Sequence, residues 1–374
     1  MQALKLAPVI HYFDTVKEWA DAAPITGRDL LVTNEWLYKP YIEPLGVNPA
    51  VILQEKYGMG EPSDEMIDAI VREAKGFEYD RIIAFGGGTI LDICKVLALE
   101  TPERVEDLFM GKVPPKKVKE LVAVPTTCGT GSEVTNVAIT GLKSLGIKKG
   151  IAVEETFADL AVLIPETMKG LPYRVFVTSS VDALIHAIES FLSPKATPFT
   201  ELFSREAASL IMEGYKAIVS GGEDARFDYN KEFLIASTFA GIAFGNAGCA
   251  AVHALAYSIG GAYHVPHGEA NYQFFTAVMK MYAAKEPGGK ILRLTEMLAD
   301  ALGMDAGNAD AVYEAFDDFL GKLIAKKPLR EYGMTEAQIS EFAKSTIDNQ
   351  QRLLANNYIP LDEAELREIF EELY

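Results

Sequence analysis

Strand-like runs and helical periodicity alternate through the first 175 residues, and beyond about Ser179 the strand-like runs stop. The runs that read as strands are 30–33, 51–53, 81–85, 121–124 and 161–164. Between the second and third, Pro62-Ser63-Asp64-Glu65 opens a helix whose apolar face is Ile67, Ile70, Val71 and Ala74, stopped by Gly76. Strands separated by helical crossovers imply a parallel sheet covered on both faces. Downstream, 181–192, 201–219, 231–245, 251–260, 290–302 and 309–324 carry helical periodicity. Thr335 and Gln338 are spaced as a capping box before another helix at 337–347. The expected fold is an α/β domain over 1–178 followed by an all-α domain over 179–374. Pro172 and the Thr178–Ser180 cluster mark the change. A chain of 374 residues exceeds one typical core. No linker separates the halves, so tight packing around a cleft is expected.

Two loops in the α/β half have the composition of an anion cradle. The third strand runs into Gly86-Gly87-Gly88-Thr89, and a helix follows. Glycines at a strand-to-helix turn let backbone N–H groups approach a phosphate, and the helix N-terminus adds a favourable dipole. The triplet is not the usual G-x-G-x-x-G pattern, and taken alone it fits a plain turn equally well. The fourth strand repeats the device with Thr126-Thr127-Cys128-Gly129-Thr130-Gly131-Ser132-Glu133. Two such loops on neighbouring strands suit a dinucleotide lying across the strand ends. Cys128 has no nearby histidine to activate it and reads as a small packing residue.

The histidines are concentrated in the helical half. Of five, His253, His264 and His267 fall within residues 246–271, and His186 stands four residues after Asp182. Residues i and i+4 share a helix face, so Asp182 and His186 point at one object. His253 lies in a small-residue helix that Gly260-Gly261 is expected to break, and Pro266-His267-Gly268 is expected to turn the chain back. An isolated Asp/His pair is more often a surface pair. One carboxylate and three imidazoles on two helices and one turn form a ligand set for a divalent transition metal.

A formal net charge of −18 argues against nucleic acid and anionic membranes as partners. Cys94, Cys128 and Cys249 show no disulfide framework, which fits a reducing compartment, and the first residues carry no signal-peptide pattern. A cytoplasmic protein is expected. The run 247–263 is apolar enough to query as a membrane span, but its length, central histidine and paired glycines speak against that.

Four stretches together resemble the iron-containing (group III) alcohol dehydrogenases: GGGTILDICK at 86–95, PTTCGTGSEVT at 125–135, SSVDALIHAIE at 179–189 and HALAYSIGGAYHVPHGEAN at 253–271. The resemblance extends over nearly the whole chain. It implies a dinucleotide-binding α/β domain, a helical metal-binding domain and metal-assisted hydride transfer to or from an alcohol. The family's metal ligands fall on Asp182, His186, His253 and His267. Its nucleotide contacts fall on Gly86, Gly87, Gly88, Thr89 and Asp92, and on Thr126, Thr127, Thr130 and Ser132. The lysine it carries before its last strand falls on Lys149. Imidazole and carboxylate ligands do not separate Fe(II) from Zn(II), and the resemblance favours iron.

EKYGMGEPSDEMI, KPLREYGM and QQRLLANNY resemble the clostridial-type branch of that family, for which the expected reaction interconverts 4-hydroxybutyrate and succinate semialdehyde. Primary alcohols or diols of the butanol, 1,3-propanediol or lactaldehyde type are the alternative. The expected partners are a small alcohol or aldehyde and a second copy of the chain in a homodimer. Two positions depart from the family. Tyr257 replaces the second histidine of an HxxxH pattern, so it is a candidate proton relay or carboxylate donor, with Arg352 the other carboxylate candidate. Asn34, read as following the first strand, stands where NAD-specific relatives carry Asp, which leaves NAD expected with NADP not excluded.

Overall fold

The computed structural model describes residues 2–374, which divide into two compact units, Leu6–Leu171 and Pro172–Tyr374, the latter joined by the N-terminal residues through Lys5. The first unit contains β1 (Val9–Tyr12), α1 (Val16–Ala22), β2 (Asp29–Thr33), α2 (Glu35–Leu37), β3 (Ala50–Leu53), α3 (Asp64–Ala74), β4 (Arg81–Gly86) and α4 (Gly88–Leu97). It continues through α5 (Glu106–Phe109), β5 (Glu120–Pro125), β6 (Val137–Leu142), β7 (Ile147–Ala152) and β8 (Leu160–Leu163). Six strands pair in the order β1-β8-β5-β4-β2-β3, all parallel, as the crossovers require.

Alternation along the strands supplies the two faces. Leu30, Val32, Ile82, Ala84, Leu121 and Ala123 enter one core cluster, while Leu31, Ile83, Phe85, Val122 and Val124 enter the other. Ser63 caps α3 by accepting from Met66 N, and Ile67, Ile70, Val71 and Ala74 are buried as its periodicity predicts.

Three strands have no counterpart among the expected ones. β1 is a four-residue edge strand with an almost fully exposed pattern, so it carries no burial signal. β6 and β7 form a separate antiparallel hairpin. Asn34 therefore follows the second strand of the chain, not the first.

The second unit consists of helices: α6 (Tyr173–Leu192), α7 (Pro198–Gly221), α8 (Asn230–Ala247), α9 (Ala251–Tyr263), α10 (His267–Lys285), α11 (Gly289–Leu302), α12 (Ala309–Gly321), α13 (Ala337–Asn349), α14 (Gln351–Leu354) and α15 (Glu363–Leu373). α6 begins directly after Pro172 and runs unbroken through Thr178–Ser180. It is long and apolar enough to cross a membrane, but 83% of its apolar window is buried inside the protein. The queried run 247–263 is no single span, because the chain turns by 103° between Glu223–Ala247 and Ala251–Tyr263.

Three local expectations are corrected. Gly260 and Gly261 do not break α9, which continues to Tyr263 and ends in the left-handed conformation of His264, φ 55°. His267 sits not in a turn but as the first residue of α10, where Pro266 opens the helix. Only half of the Thr335/Gln338 capping box forms. Gln338 Oε1 accepts from Thr335 N at 2.9 Å, but Thr335 Oγ1 donates to that same oxygen at 3.0 Å instead of accepting from Gln338 N. Tyr263 OH also donates to it, at 2.6 Å.

Candidate active site

α6 presents Asp182, His186 and Glu189 at i, i+4 and i+7, one buried face of a core helix. His253 comes from α9 and His267 from the start of α10. Asp182 Oδ1 lies 3.7 Å from His253 Nε2 and 3.8 Å from His267 Nε2, and the Nε2 atoms of His186 and His253 are 3.0 Å apart. Each of the four residues offers one ligand atom within 4.8 Å of the others. The approach of α10 to α6 depends on Gly268, where a Cβ would come 2.2 Å from the Thr178 carbonyl oxygen. Phe244 of α8 stacks on the His186 ring at 4.2 Å.

The cluster fits a divalent cation. Two buried imidazole nitrogens facing each other at 3.0 Å are relieved by a cation between them, and the carboxylate beside them supplies negative charge. The side chains of Asp182, His186 and His253 are buried, whereas that of His267 is 35% exposed, so the cluster is open on one side as a catalytic site requires. Burial alone would raise the Asp182 pKa, yet the three imidazoles and the Asn271 amide, which donates at 2.7 Å, hold it below the usual value.

Glu189 was not among the expected site residues. Its Oε2 accepts from His253 Nδ1 at 2.6 Å and from Ala250 N at 2.8 Å, and its Oε1 from Val252 N at 2.7 Å. That leaves His253 Nε2 directed at Asp182, His186 and His267, the arrangement by which an outer carboxylate orients a ligating histidine. Burial opposes a charge on His253, but Glu189 and Asp182 together raise its pKa. The i, i+4, i+7 spacing in DALIHAIE was the available signal. Cys249 approaches Glu189 and His253 as well, and burial pushes its thiol far up.

In the first unit the two glycine- and hydroxyl-rich loops form one floor at the carboxyl ends of β4 and β5. Thr126 N donates to Gly86 O at 3.1 Å, and a Cβ on Gly88 would come 2.7 Å from Thr130 Cγ2. Asp92 accepts from Ser132 Oγ at 2.6 Å and from Ile139 N at 2.9 Å, fixing the second loop to α4. Lys95, fully buried, reinforces this by donating to Ser132 Oγ at 2.6 Å and Val137 O at 2.7 Å. Thr89 Oγ1 donates to Gly60 O at 3.0 Å, Gly87 and Thr127 are half-buried between the loops, and Cys128 is buried as packing. Lys149 lies in the β6–β7 hairpin opposite Thr140, with Nζ 3.6 Å from Met110 Sδ.

Asn34 is buried where β2 ends, and its Nδ2 donates to Glu55 Oε2 at 2.9 Å and to Gln54 Oε1 at 3.2 Å. Glu55, just past β3, also accepts from Glu35 N at 2.8 Å. A carboxylate therefore stands at the end of β2 after all, supplied by the turn that follows β3. Tyr257, one turn after His253 on α9, has its ring 6.4 Å from that of His267.

Residues 11–165 match the family model described as iron-containing alcohol dehydrogenase, and residues 176–374 match its C-terminal counterpart. The 4-hydroxybutyrate dehydrogenase of Clostridium kluyveri is 52% identical over 374 residues, all of both chains. Long-chain-alcohol dehydrogenase 1 of Geobacillus thermodenitrificans is 33% identical, covering 84% of this chain and 80% of its own. Among solved structures, sulfoacetaldehyde reductase from Bifidobacterium kashiwanohense in complex with NAD+ superposes with a TM-score of 0.84. It is 22% identical, over 100% of this chain and 98% of that one, a likeness of fold.

Proposed function

Since the chain belongs to the iron-containing alcohol dehydrogenase family, we propose that it interconverts 4-hydroxybutyrate and succinate semialdehyde with NAD as the hydride carrier. The observation that carries the substrate is the full-length likeness to the Clostridium kluyveri enzyme. Asp182, His186, His253 and His267 would hold Fe(II), and their donor types accept Zn(II) as well. A bound divalent ion polarises the substrate oxygen, while the nicotinamide takes or gives the hydride.

The protein's own residues do the rest. Glu189 orients His253 and keeps its Nε2 available for the ion. Tyr257 stands one turn from a ligand and near His267, and is the residue we assign to moving the hydroxyl proton. Gly86–Thr89 and Thr126–Ser132 would cradle the pyrophosphate, with Lys149 as a further nucleotide contact and Asp92 holding the second loop in place. Preference for NAD over NADP rests on Glu55, whose charge at the end of β2 opposes a 2′-phosphate. Three free, buried cysteines fit a cytoplasmic enzyme, and a homodimer is the assembly we propose.

The test is the change in nicotinamide absorbance with iron-loaded and chelated protein. Succinate semialdehyde, butanal and 3-hydroxypropanal would be offered with NADH and with NADPH. Faster turnover of the uncharged aldehydes than of succinate semialdehyde would refute the substrate, and turnover indifferent to chelation would refute the metal.

A further inference from the structure

The amide of Asn271 meets two of the four candidate ligands at once. Asn271 stands on α10 four residues after His267, on the same helix face. Its Nδ2 donates to Asp182 Oδ1 at 2.7 Å and lies 3.2 Å from His267 Nε2. An amide nitrogen has hydrogens to give and no lone pair to offer, so the imidazole nitrogen it meets is the unprotonated one. His267 Nε2 thereby keeps the lone pair that a metal needs. The close fit of α10 on α6 sets these distances, since a Cβ on Gly268 would come within 3.3 Å of Asp182 Cβ. Asn271 is fully buried, and its Oδ1 has no hydrogen-bond partner among the described residues. Such an amide fills space poorly, because a leucine of similar size would leave no polar atom unmet.

Both oxygens of Asp182 border the cluster. Oδ1 lies 3.7 Å from His253 Nε2 and 3.8 Å from His267 Nε2, and Oδ2 lies 3.9 Å from His186 Nδ1. A carboxylate so placed can grip a divalent ion with one oxygen or with both. The two-oxygen grip adds a further protein donor and takes up a position that a catalytic site keeps for substrate. The Asn271 N–H occupies a lone pair of Oδ1 and draws charge from it, so the two oxygens become unequal donors. Hydrogen bonds from outside the ligand set fix the orientation and donor strength of ligating groups in this way.

We propose that Asn271 is a positioning residue that holds Asp182 to one-oxygen coordination and so keeps a coordination position free for the substrate oxygen. It acts from the helix that also carries His267, the ligand on the open side of the cluster, and reaches across to the carboxylate on α6. The assignment rests on the proposed metal cluster.

The test compares wild type, Asn271→Leu and Asn271→Ala as full-length proteins loaded with Co(II). Leucine keeps the volume and removes the donor, whereas alanine removes both. The visible absorption bands of Co(II) report its coordination number, and titration with azide reports the free position. In both variants the bands should lose intensity, the mark of a higher coordination number, and azide should bind roughly tenfold more weakly. Bands and azide affinity like those of wild type in Asn271→Leu overturn the proposal, even if Asn271→Ala differs, because Asn271 then only fills space. Should the leucine variant not fold, wild-type bands in Asn271→Ala overturn it instead. Variants that fold but no longer retain Co(II) also overturn it, since Asn271 would then be needed to hold the ion and not to limit Asp182. A wild type that takes up no Co(II) refutes the metal cluster itself, and this proposal with it.

Discussion

Replacing Glu189 with Gln is the most direct probe of how the metal site is built. The carboxylate accepts three hydrogen bonds in a fully buried setting, from Ala250 N, Val252 N and His253 Nδ1. Glutamine has one acceptor oxygen. Placed at the Oε2 position, it still serves Ala250 and His253, but its amide N–H₂ then faces the N–H of Val252. One backbone donor and one amide donor are left without acceptors, at about 1–3 kcal/mol for each such group. A loss of roughly 2–6 kcal/mol of folding stability follows, a large share of the stability of an ordinary domain. Separately, His253 loses the negative charge that sustains its basicity, and with it about 10- to 100-fold in metal affinity. The assay is a chelator competition for Fe(II) and for Zn(II), with a denaturant titration of the metal-free proteins. Metal affinity within twofold of wild type would refute the orienting role of Glu189. A stability loss under about 0.5 kcal/mol would refute the hydrogen-bond accounting.

His267→Ala removes the most exposed of the four ligands, so metal content and turnover should fall together while the far-ultraviolet circular dichroism is kept; full metal content would exclude His267 as a ligand. Glu55→Gln should raise kcat/KM with NADPH about tenfold relative to NADH, because the charge facing a 2′-phosphate is gone. Asn34→Asp, by contrast, sets two carboxylates in hydrogen-bond contact, so it should destabilise the protein instead of sharpening NAD preference; a stable variant with stronger NADP rejection would refute this. Burial lowers the Lys95 pKa to about 8, although Asp92 and Glu133 oppose the shift. The unfolded chain therefore holds that proton more tightly, and this group makes stability rise with pH between about 8 and the usual lysine value, by up to about 3 kcal/mol. Denaturant titrations from pH 7.5 to 10 should show the rise in wild type and lose it in Lys95→Met; parallel curves would refute it.

Local pattern alone determined the interior strands, the parallel sheet and the helical second half, while the family resemblance picked out Asp182, His186, His253 and His267 as the candidate metal ligands. β2, β4 and β5 are buried on both faces and therefore read as continuous apolar runs. Asp182 and His186 share a helix face whatever packs around them. Tertiary structure decided what depends on a neighbour distant in the chain. β1 is strand only because β8 pairs with it, since four mostly exposed residues carry no burial signal of their own. His267 begins a helix, and reaches Asp182, because Gly268 admits the Thr178 carbonyl. Glu189 acquires its role from α9, 61 to 64 residues away, and the carboxylate that NAD-specific relatives are expected to carry at position 34 is supplied here by Glu55, just past β3. Hydrogen bonds and charge act through space, so residues that complete a site from another element leave no periodicity beside it in the chain.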